Sequence, residues 1–158
     1  MAKFPVVVYG ASGYTGMLIM DWLIDQQIPF TAVARDAKRV QEMMAQRVVR
    51  LESATYEIVE TEHTVAALTK AFKGAKVVCN TVGPFVNFGL TAVEAALKAA
   101  CHHIDTTGEQ SYIRAVRDQF GESYRQAGLL VSPSTAYMYT FAEIAAELAL
   151  ETDGIDVL

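Results

Sequence analysis

The sequence predicts an α/β fold, a doubly wound sheet of parallel strands with helices on both faces. Short apolar runs alternate along the chain with longer amphipathic segments, which is the pattern of βαβ units. The first unit, at residues 5–27, joins its strand to its helix through a turn that contains three glycines. Because βαβ crossovers are right-handed, we expect the strand order 3-2-1-4-5-6.

Each predicted element rests on its hydrophobic period and on the polar or glycine residues that bound it. Strands are predicted at residues 5–9, 30–34, 56–60, 76–81, 102–106 and 129–132. Helices are predicted at residues 14–27, 36–47, 63–73, 89–101, 111–127 and 139–151. The chain shows no internal repeat, low-complexity tract or linker, so residues 1–158 are predicted to form one domain.

The composition excludes several classes of protein. Apolar residues make up 52% of the 158 residues and charged residues 20%, which is typical of a folded globular domain. A net charge of −5 argues against nucleic acid as a partner. No apolar stretch approaches the ~20 residues of a membrane span, and the N-terminal residues lack the layout of a signal peptide. Cys79 and Cys101 have neither disulfide nor metal-site spacing, so we expect reduced cysteines, no metal and a cytoplasmic location.

The first turn carries the strongest functional signal. The segment VVVYGASGYTG places Gly10, Gly13 and Gly16 between an apolar strand and the start of a helix. Such a turn brings backbone N–H groups and a helix N-terminus to one point, where the pyrophosphate of a dinucleotide can bind, as in the Rossmann fold. The alternative is an ordinary strand–turn–helix. The predicted pyrophosphate-binding residues are Gly10, Ala11, Ser12, Gly13, Tyr14, Thr15 and Gly16.

The end of the second strand bears on the choice of cofactor. NAD-binding folds usually have Asp or Glu there, to bind the ribose 2′-hydroxyl. Here the first polar residue is Arg35, followed by Lys38, and a guanidinium suits the additional 2′-phosphate of NADP. We therefore predict that Arg35 and Lys38 contact this phosphate, whereas Asp36 leaves NAD open as an alternative.

The fourth strand ends in a second candidate loop. Residues Thr81, Val82, Gly83 and Pro84 follow the strand at the sheet edge that faces the ligand in this topology. We predict that they run beside the ribose and nicotinamide. The alternative is a plain turn before a helix that starts at Gly89.

The fifth strand ends in HHIDTTGEQS, which offers Asp105 and Glu109 at the same edge. One interpretation is that they bind a substrate or orient the cofactor. The other is that Thr107 or Ser111 caps the next helix and Asp105 only satisfies loop amides; both interpretations stay open. His102 and His103 are adjacent on a strand and must point to opposite faces, so they cannot share a metal.

Four segments in order, GASGYTG, Ala34–Arg35, CNTVGPF and IDTTGE, resemble the NADP-binding domain of the saccharopine dehydrogenase-like oxidoreductases, including the trans-acting enoyl reductase-like branch. The resemblance covers residues 5–135. It implies NADP(H) as cofactor and a second domain that carries most substrate contacts. The N-acetyl-glutamyl-phosphate reductases share GASGYTG, but they need a nucleophilic cysteine in a turn, and neither cysteine here has that setting.

We therefore predict an NADP(H)-binding domain of a hydride-transferring oxidoreductase, with a non-catalytic dinucleotide-binding module as the alternative. The catalytic acid or base is not evident in the sequence. The chain stops as a strand begins, so we expect it to be the N-terminal part of a longer two-domain protein. Residues 137–158 should expose an apolar surface, which a second domain or a homodimer would cover.

Overall fold

A computed structural model describes residues 1–47 and 51–151 of the chain. Its strands are β1 Val6–Tyr9, β2 Phe30–Ala34, β3 Tyr56–Glu60, β4 Val77–Asn80, β5 His102–Asp105 and β6 Val131–Ser132. Its α-helices are α1 Tyr14–Asp25, α2 Ala37–Arg47, α3 Val65–Phe72, α4 Phe85–Lys98, α5 Gln110–Gln126 and α6 Tyr137–Leu150, with a 3₁₀ turn at Leu51–Ser53.

The six strands form one parallel sheet in the order β3-β2-β1-β4-β5-β6, which confirms the predicted Rossmann fold and strand order. From β1 the chain builds outward through β2 and β3, then crosses back to lay β4 against the other side of β1. Such a reversal opens a crevice at the carboxyl ends of the strands next to it. Tyr9 at the end of β1 is in register with Val33 on one side and Asn80 on the other.

Two apolar layers cover the two faces of the sheet, since side chains alternate along each strand. On one face Val8 packs with Met20 of α1 and Met44 of α2. On the other face Val7 packs with Phe72 of α3 and with alanines of α4. All five residues of β2 are buried, as expected for a strand in the interior of a parallel sheet.

The start of α4 differs from the prediction. The helix begins at Phe85 rather than at Gly89, so Gly89 lies within it. A Cβ at Gly89 would lie 2.2 Å from Cε2 of Tyr112, a buried side chain of α5. The glycine therefore lets α5 approach α4 closely; it does not begin the helix.

The last helix, α6, packs loosely. It has no buried residue, and the predicted exposed apolar surface is confirmed as far as Leu150. Tyr137 is 76% exposed and Leu148 is 60% exposed. The rest of the predicted surface, Ile155, Val157 and Leu158, lies outside the described residues. None of the helices in the described ranges is long and apolar enough to cross a membrane.

Candidate functional site

A cleft of about 210 Å³ lies at the carboxyl edge of the sheet, where the β1, β2 and β4 strands end. Its lining comes from the glycine turn, the end of β2, the loop after β4, and two aromatic rings. The lining residues are Tyr9, Gly10, Ser12, Gly13, Ala34, Arg35, His63, Thr81, Val82, Gly83 and Phe88. The cleft thus joins segments that are more than seventy residues apart in the sequence.

The glycine turn is shaped by two of its three glycines. Gly10 has φ +92°, and a Cβ there would lie 2.5 Å from Oγ1 of Thr81. At Gly16 a Cβ would lie 2.4 Å from the carbonyl oxygen of Gly10, so only glycine lets α1 start this close to the turn. Gly10 thus permits the sharp turn, and Gly16 permits the close packing of α1 against it.

At Gly13, in contrast, neither the backbone conformation nor the packing of the protein requires a glycine. Its backbone is extended (φ −90°), and a Cβ would approach only the carbonyl oxygen of Gly10, at 3.2 Å. Gly13 lines the cleft and is the N-cap of α1, and no side chain caps this helix end. The first N–H groups of α1 are therefore left for an anion, and the missing side chain leaves a cradle that a Cβ would narrow. This cradle fits a pyrophosphate.

At the end of β2, Arg35 lines the cleft and is exposed, and it forms no ion pair with any described residue. Lys38 does not line the cleft: it is the second residue of α2, and its Nζ lies 3.7 Å from Oε1 of Glu42. Asp36 accepts a hydrogen bond from the Arg39 N–H at 2.9 Å, so its carboxylate caps α2. The structure thus brings Arg35 to the site and leaves Lys38 outside it.

The loop after β4 reaches the cleft with three of its four predicted residues. The hydroxyl of Thr81 donates to the carbonyl oxygen of Tyr9 at 3.0 Å, and the Val82 N–H donates to Oδ1 of Asn80 at 3.0 Å. These bonds hold the loop against the end of β1. Pro84 is the N-cap of α4 and does not line the cleft. The other predicted residues that do not line it are Ala11, Tyr14, Thr15, Gly16 and Lys38.

The sequence analysis missed an aromatic wall made by Tyr9, His63 and Phe88. The rings of Tyr9 and His63 stack at 6.1 Å, and the Phe88 ring meets the His63 ring edge-on at 5.2 Å. The Tyr9 hydroxyl and His63 Nδ1 are 2.6 Å apart. His63 is two residues beyond the last contact of β3 with β2. Its position just past the carboxyl end of a strand could have identified it as a site residue from the sequence.

The protonation states of Tyr9 and His63 decide which group donates the hydrogen bond between them. Burial raises the pKa of Tyr9 to about 12, which keeps its hydroxyl protonated. Burial, and then the positive charge of Arg35, lower the pKa of His63, which keeps its ring neutral. The Tyr9 hydroxyl therefore donates to Nδ1, and Nε2 carries the ring hydrogen. Nε2 is buried and has no hydrogen-bond partner among the described residues.

Asp105, the last residue of β5, and Glu109, the N-cap of α5, both have structural partners. Oδ1 of Asp105 accepts the N–H groups of Thr107 and Ser134, and Oδ2 accepts the Tyr112 hydroxyl at 2.7 Å. Burial is the main cause that raises the pKa of Asp105. Glu109 binds two N–H groups of the first turn of α4 at 2.8 and 2.7 Å. Of the two interpretations left open, the amide-satisfying one fits Asp105, and Glu109 has a similar role that the sequence did not predict. Neither residue lines the cleft.

Both histidines of β5 and both cysteines are also remote from the cleft. His103 is fully buried, and burial lowers its pKa to about 3. His102 Nδ1 accepts the Leu130 N–H, so the pair does face in opposite directions. Burial raises the pKa of Cys79 to about 11, which makes its thiol a poor nucleophile. The described residues contain no cluster of metal-ligating side chains.

Three features together define a dinucleotide-binding domain: an uncapped helix N-terminus, a glycine cradle, and an arginine at the end of β2 that has no ion-pair partner in the described part of the chain. Comparison with known proteins narrows this class. The family model described as the saccharopine dehydrogenase NADP-binding domain matches residues 6–149. The chain belongs to this family, and its cofactor is NADP(H), as the sequence predicted.

The curated relatives are longer than this chain. A lipid droplet localized protein from Caenorhabditis elegans is 28% identical over 138 residues, which are 83% of this chain and 32% of the relative. A saccharopine dehydrogenase-like oxidoreductase from Mus musculus is 27% identical over 85% of this chain and 34% of its own length. A trans-acting enoyl reductase from Mycobacterium ulcerans is 29% identical over 80% of this chain and 30% of its own length. The chain thus spans about a third of these relatives.

Among solved structures, saccharopine dehydrogenase (L-Glu forming) from Saccharomyces cerevisiae superposes with a TM-score of 0.73. The match covers 94% of this chain and 31% of that protein, at 15% identity. At this identity the match shows a shared fold.

Proposed function

We propose that this domain holds NADP(H) for hydride transfer in an oxidoreductase. The observation that carries the proposal is the cleft where the uncapped start of α1 and the unpaired Arg35 face the same space. The α1 N–H groups and Gly13 would bind the pyrophosphate, Arg35 the 2′-phosphate, and residues 81–83 the nicotinamide end. The nicotinamide would supply the hydride, while the protein orients it.

The proton that accompanies a hydride would come from outside the described cleft. Asp105 and Glu109 are engaged with backbone amides, and His63 is held neutral by burial and by Arg35. This supports a two-domain protein, in which a further domain supplies the substrate contacts and the acid or base. The chain's one-third share of its relatives and the exposed apolar face of α6 support the same arrangement.

The non-catalytic module is the less favoured alternative, because relatives of this chain are named as oxidoreductases and as an enoyl reductase. A cytoplasmic location remains our proposal from the composition. It receives no support from the nematode relative, which is named for lipid droplets.

Calorimetric titration with NADPH and NADH tests the cofactor assignment. We expect tighter binding of NADPH, and Arg35→Ala should weaken NADPH binding by roughly 1.5–3 kcal/mol, as for a hydrogen bond to a charged group, with little effect on NADH. Arg39→Ala is the matched control, since Arg39 is an exposed arginine of α2 that does not line the cleft. Lys38→Ala should resemble this control.

Two results would contradict the assignment: equal affinities of the unchanged protein for both cofactors, or equal losses for Arg35→Ala and Arg39→Ala. A steady-state assay addresses catalysis separately. These 158 residues should bind NADPH without oxidising it. Substrate-dependent oxidation by this chain alone would refute the need for a further domain.

A further inference from the structure

The first N–H of α2 is already occupied by a carboxylate. Glu60, the last residue of β3, lies beside Ala34, the last residue of β2, in the register of the sheet. Its Oε2 accepts the Ala37 N–H at 2.9 Å. The Thr61 N–H donates to the Ala34 carbonyl oxygen at 2.9 Å, which extends the pairing past Glu60 and fixes its backbone at this edge.

Glu60 and Arg35 face the same space. A shallow depression beside the cleft is lined by Arg35, Glu60, Thr61, Glu62 and His63, and Arg35 and His63 line the cleft as well. Arg35 and Glu60 form no ion pair, although both are on the same surface. A group bound by Arg35 at the junction of these two spaces would lie near the Glu60 carboxylate.

The 2′-phosphate of NADP and the 2′-hydroxyl of NAD favour different groups at this position. A 2′-phosphate favours a guanidinium and free backbone N–H groups at the start of a helix, and it is repelled by a carboxylate. A 2′-hydroxyl favours a carboxylate acceptor, which NAD-binding folds place at the end of β2. Here the end of β2 carries the guanidinium, and the neighbouring strand supplies a carboxylate at the same level of the sheet.

We propose that Glu60 is a specificity-determining residue that limits the preference for NADP(H) over NAD(H). It competes with the 2′-phosphate for the Ala37 N–H and repels its charge, while it leaves a 2′-hydroxyl acceptable. The proposal rests on the proposed function, since it presumes that Arg35 meets the 2′ position. It explains why the sequence shows an NADP-type arginine while the surface around it remains partly acidic.

Two substitutions of Glu60 separate the effect of its charge from the effect of its hydrogen bond to α2. Glu60→Gln keeps an oxygen that can accept the Ala37 N–H but removes the charge, and Glu60→Ala removes both. We expect each to tighten NADPH binding roughly three- to tenfold, as relief of a partly exposed like-charge contact would. NADH binding should stay the same or weaken. The readout is the ratio of the two dissociation constants, measured by titration at low salt and at about 0.3 M salt. At the higher salt the Debye length is well under about 10 Å, so screening should reduce the effect.

Glu62→Gln is the matched control. Glu62 lies in the same depression, carries the same charge and is exposed like Glu60, but its carboxylate holds no hydrogen bond within the described residues. It should change the ratio less than about twofold, because its carboxylate does not occupy the Ala37 N–H and an exposed charge by itself contributes little. Far-UV circular dichroism and a melting curve check that each variant folds.

The outcomes distinguish this inference from the proposed function. If the unchanged protein binds neither cofactor, the proposed function fails. If it binds NADPH and Glu60→Gln leaves the ratio unchanged, or Glu60→Ala weakens NADPH binding, then Glu60 only supports the start of α2 and the inference is overturned. An equal change for Glu62→Gln would also overturn it, since the effect would then be one of net charge.

Discussion

Substitution of Gly13 by valine should separate cofactor binding from folding. Gly13 is the N-cap of α1 and lines the cleft, yet its extended backbone is one that L-residues adopt freely. A Cβ would meet only the Gly10 carbonyl oxygen, at 3.2 Å, so a shift of a few tenths of an ångström accommodates it. The two valine methyl groups would then occupy the space in front of the α1 N–H groups.

The structure lets both costs be worked out. The loss of a favoured N-cap residue and the small backbone shift should together cost about 1–2 kcal/mol of folding free energy. For a domain of this size that lowers the melting temperature by roughly 2–8 °C. Binding should suffer more, because the pyrophosphate loses its approach to the backbone. We expect at least about a hundredfold weaker binding, or about 2.7 kcal/mol, for NADPH and NADH alike.

The assay pairs titration calorimetry with thermal unfolding followed by circular dichroism. Gly16→Ala is the comparison, because a Cβ there would lie 2.4 Å from the Gly10 carbonyl oxygen, a backbone atom that cannot move cheaply. It should lower the melting temperature by more than Gly13→Val does, although alanine adds a smaller side chain. If the smaller side chain causes the larger loss of stability, the loss comes from the contact with the backbone and not from side-chain size.

Retained cofactor affinity in a folded Gly13→Val protein would refute the reasoning, since the glycine turn would then be a turn and nothing more. A Gly13→Val protein that fails to fold would contradict the steric estimate instead. Gly13→Ala, with the smallest added side chain, then decides whether binding falls before stability does.

Three further predictions follow from other parts of the structure. Because burial holds the pKa of His103 at about 3 while an unfolded histidine titrates near 6.5, acidification through this window protonates only the unfolded state, and stability should fall as pH decreases. His103→Leu should flatten that slope in urea unfolding measured from pH 7 to 4; an unchanged slope would contradict it. Glu109→Ala should cost about 1–3 kcal/mol, because two N–H groups of α4 lose a charged acceptor, and Glu109→Gln should cost less. Sedimentation should show concentration-dependent association through the exposed face of α6, reduced by Ile144→Glu without loss of NADPH affinity; a strictly monomeric chain would argue against this surface.

The elements of the sheet were predictable because their causes are local. Strand β2 is a run of five apolar or β-prone residues, and the three glycines after β1 are adjacent enough to be recognised as one turn. The strand order follows from the handedness of βαβ units, which does not depend on side-chain detail. The predicted start of α4 was wrong by four residues. In the sequence Gly89 is typical of a helix boundary, and only the structure shows that it is a glycine because Tyr112 packs against it.

For the candidate site, too, some features were predictable from the sequence and others were not. Sequence alone determined the family, from four short segments in a fixed order, and the glycine turn, from spacing within one βαβ unit. The role of Arg35 stays a prediction. Only the tertiary structure decided that His63 meets both Tyr9 and Phe88, that Lys38 does not line the cleft, and that Glu60 reaches the first N–H of α2. The ring contacts join separate βαβ units, and the Glu60 contact joins the end of β3 to the start of α2. Their distances depend on how the helices pack on the sheet, which no local pattern records.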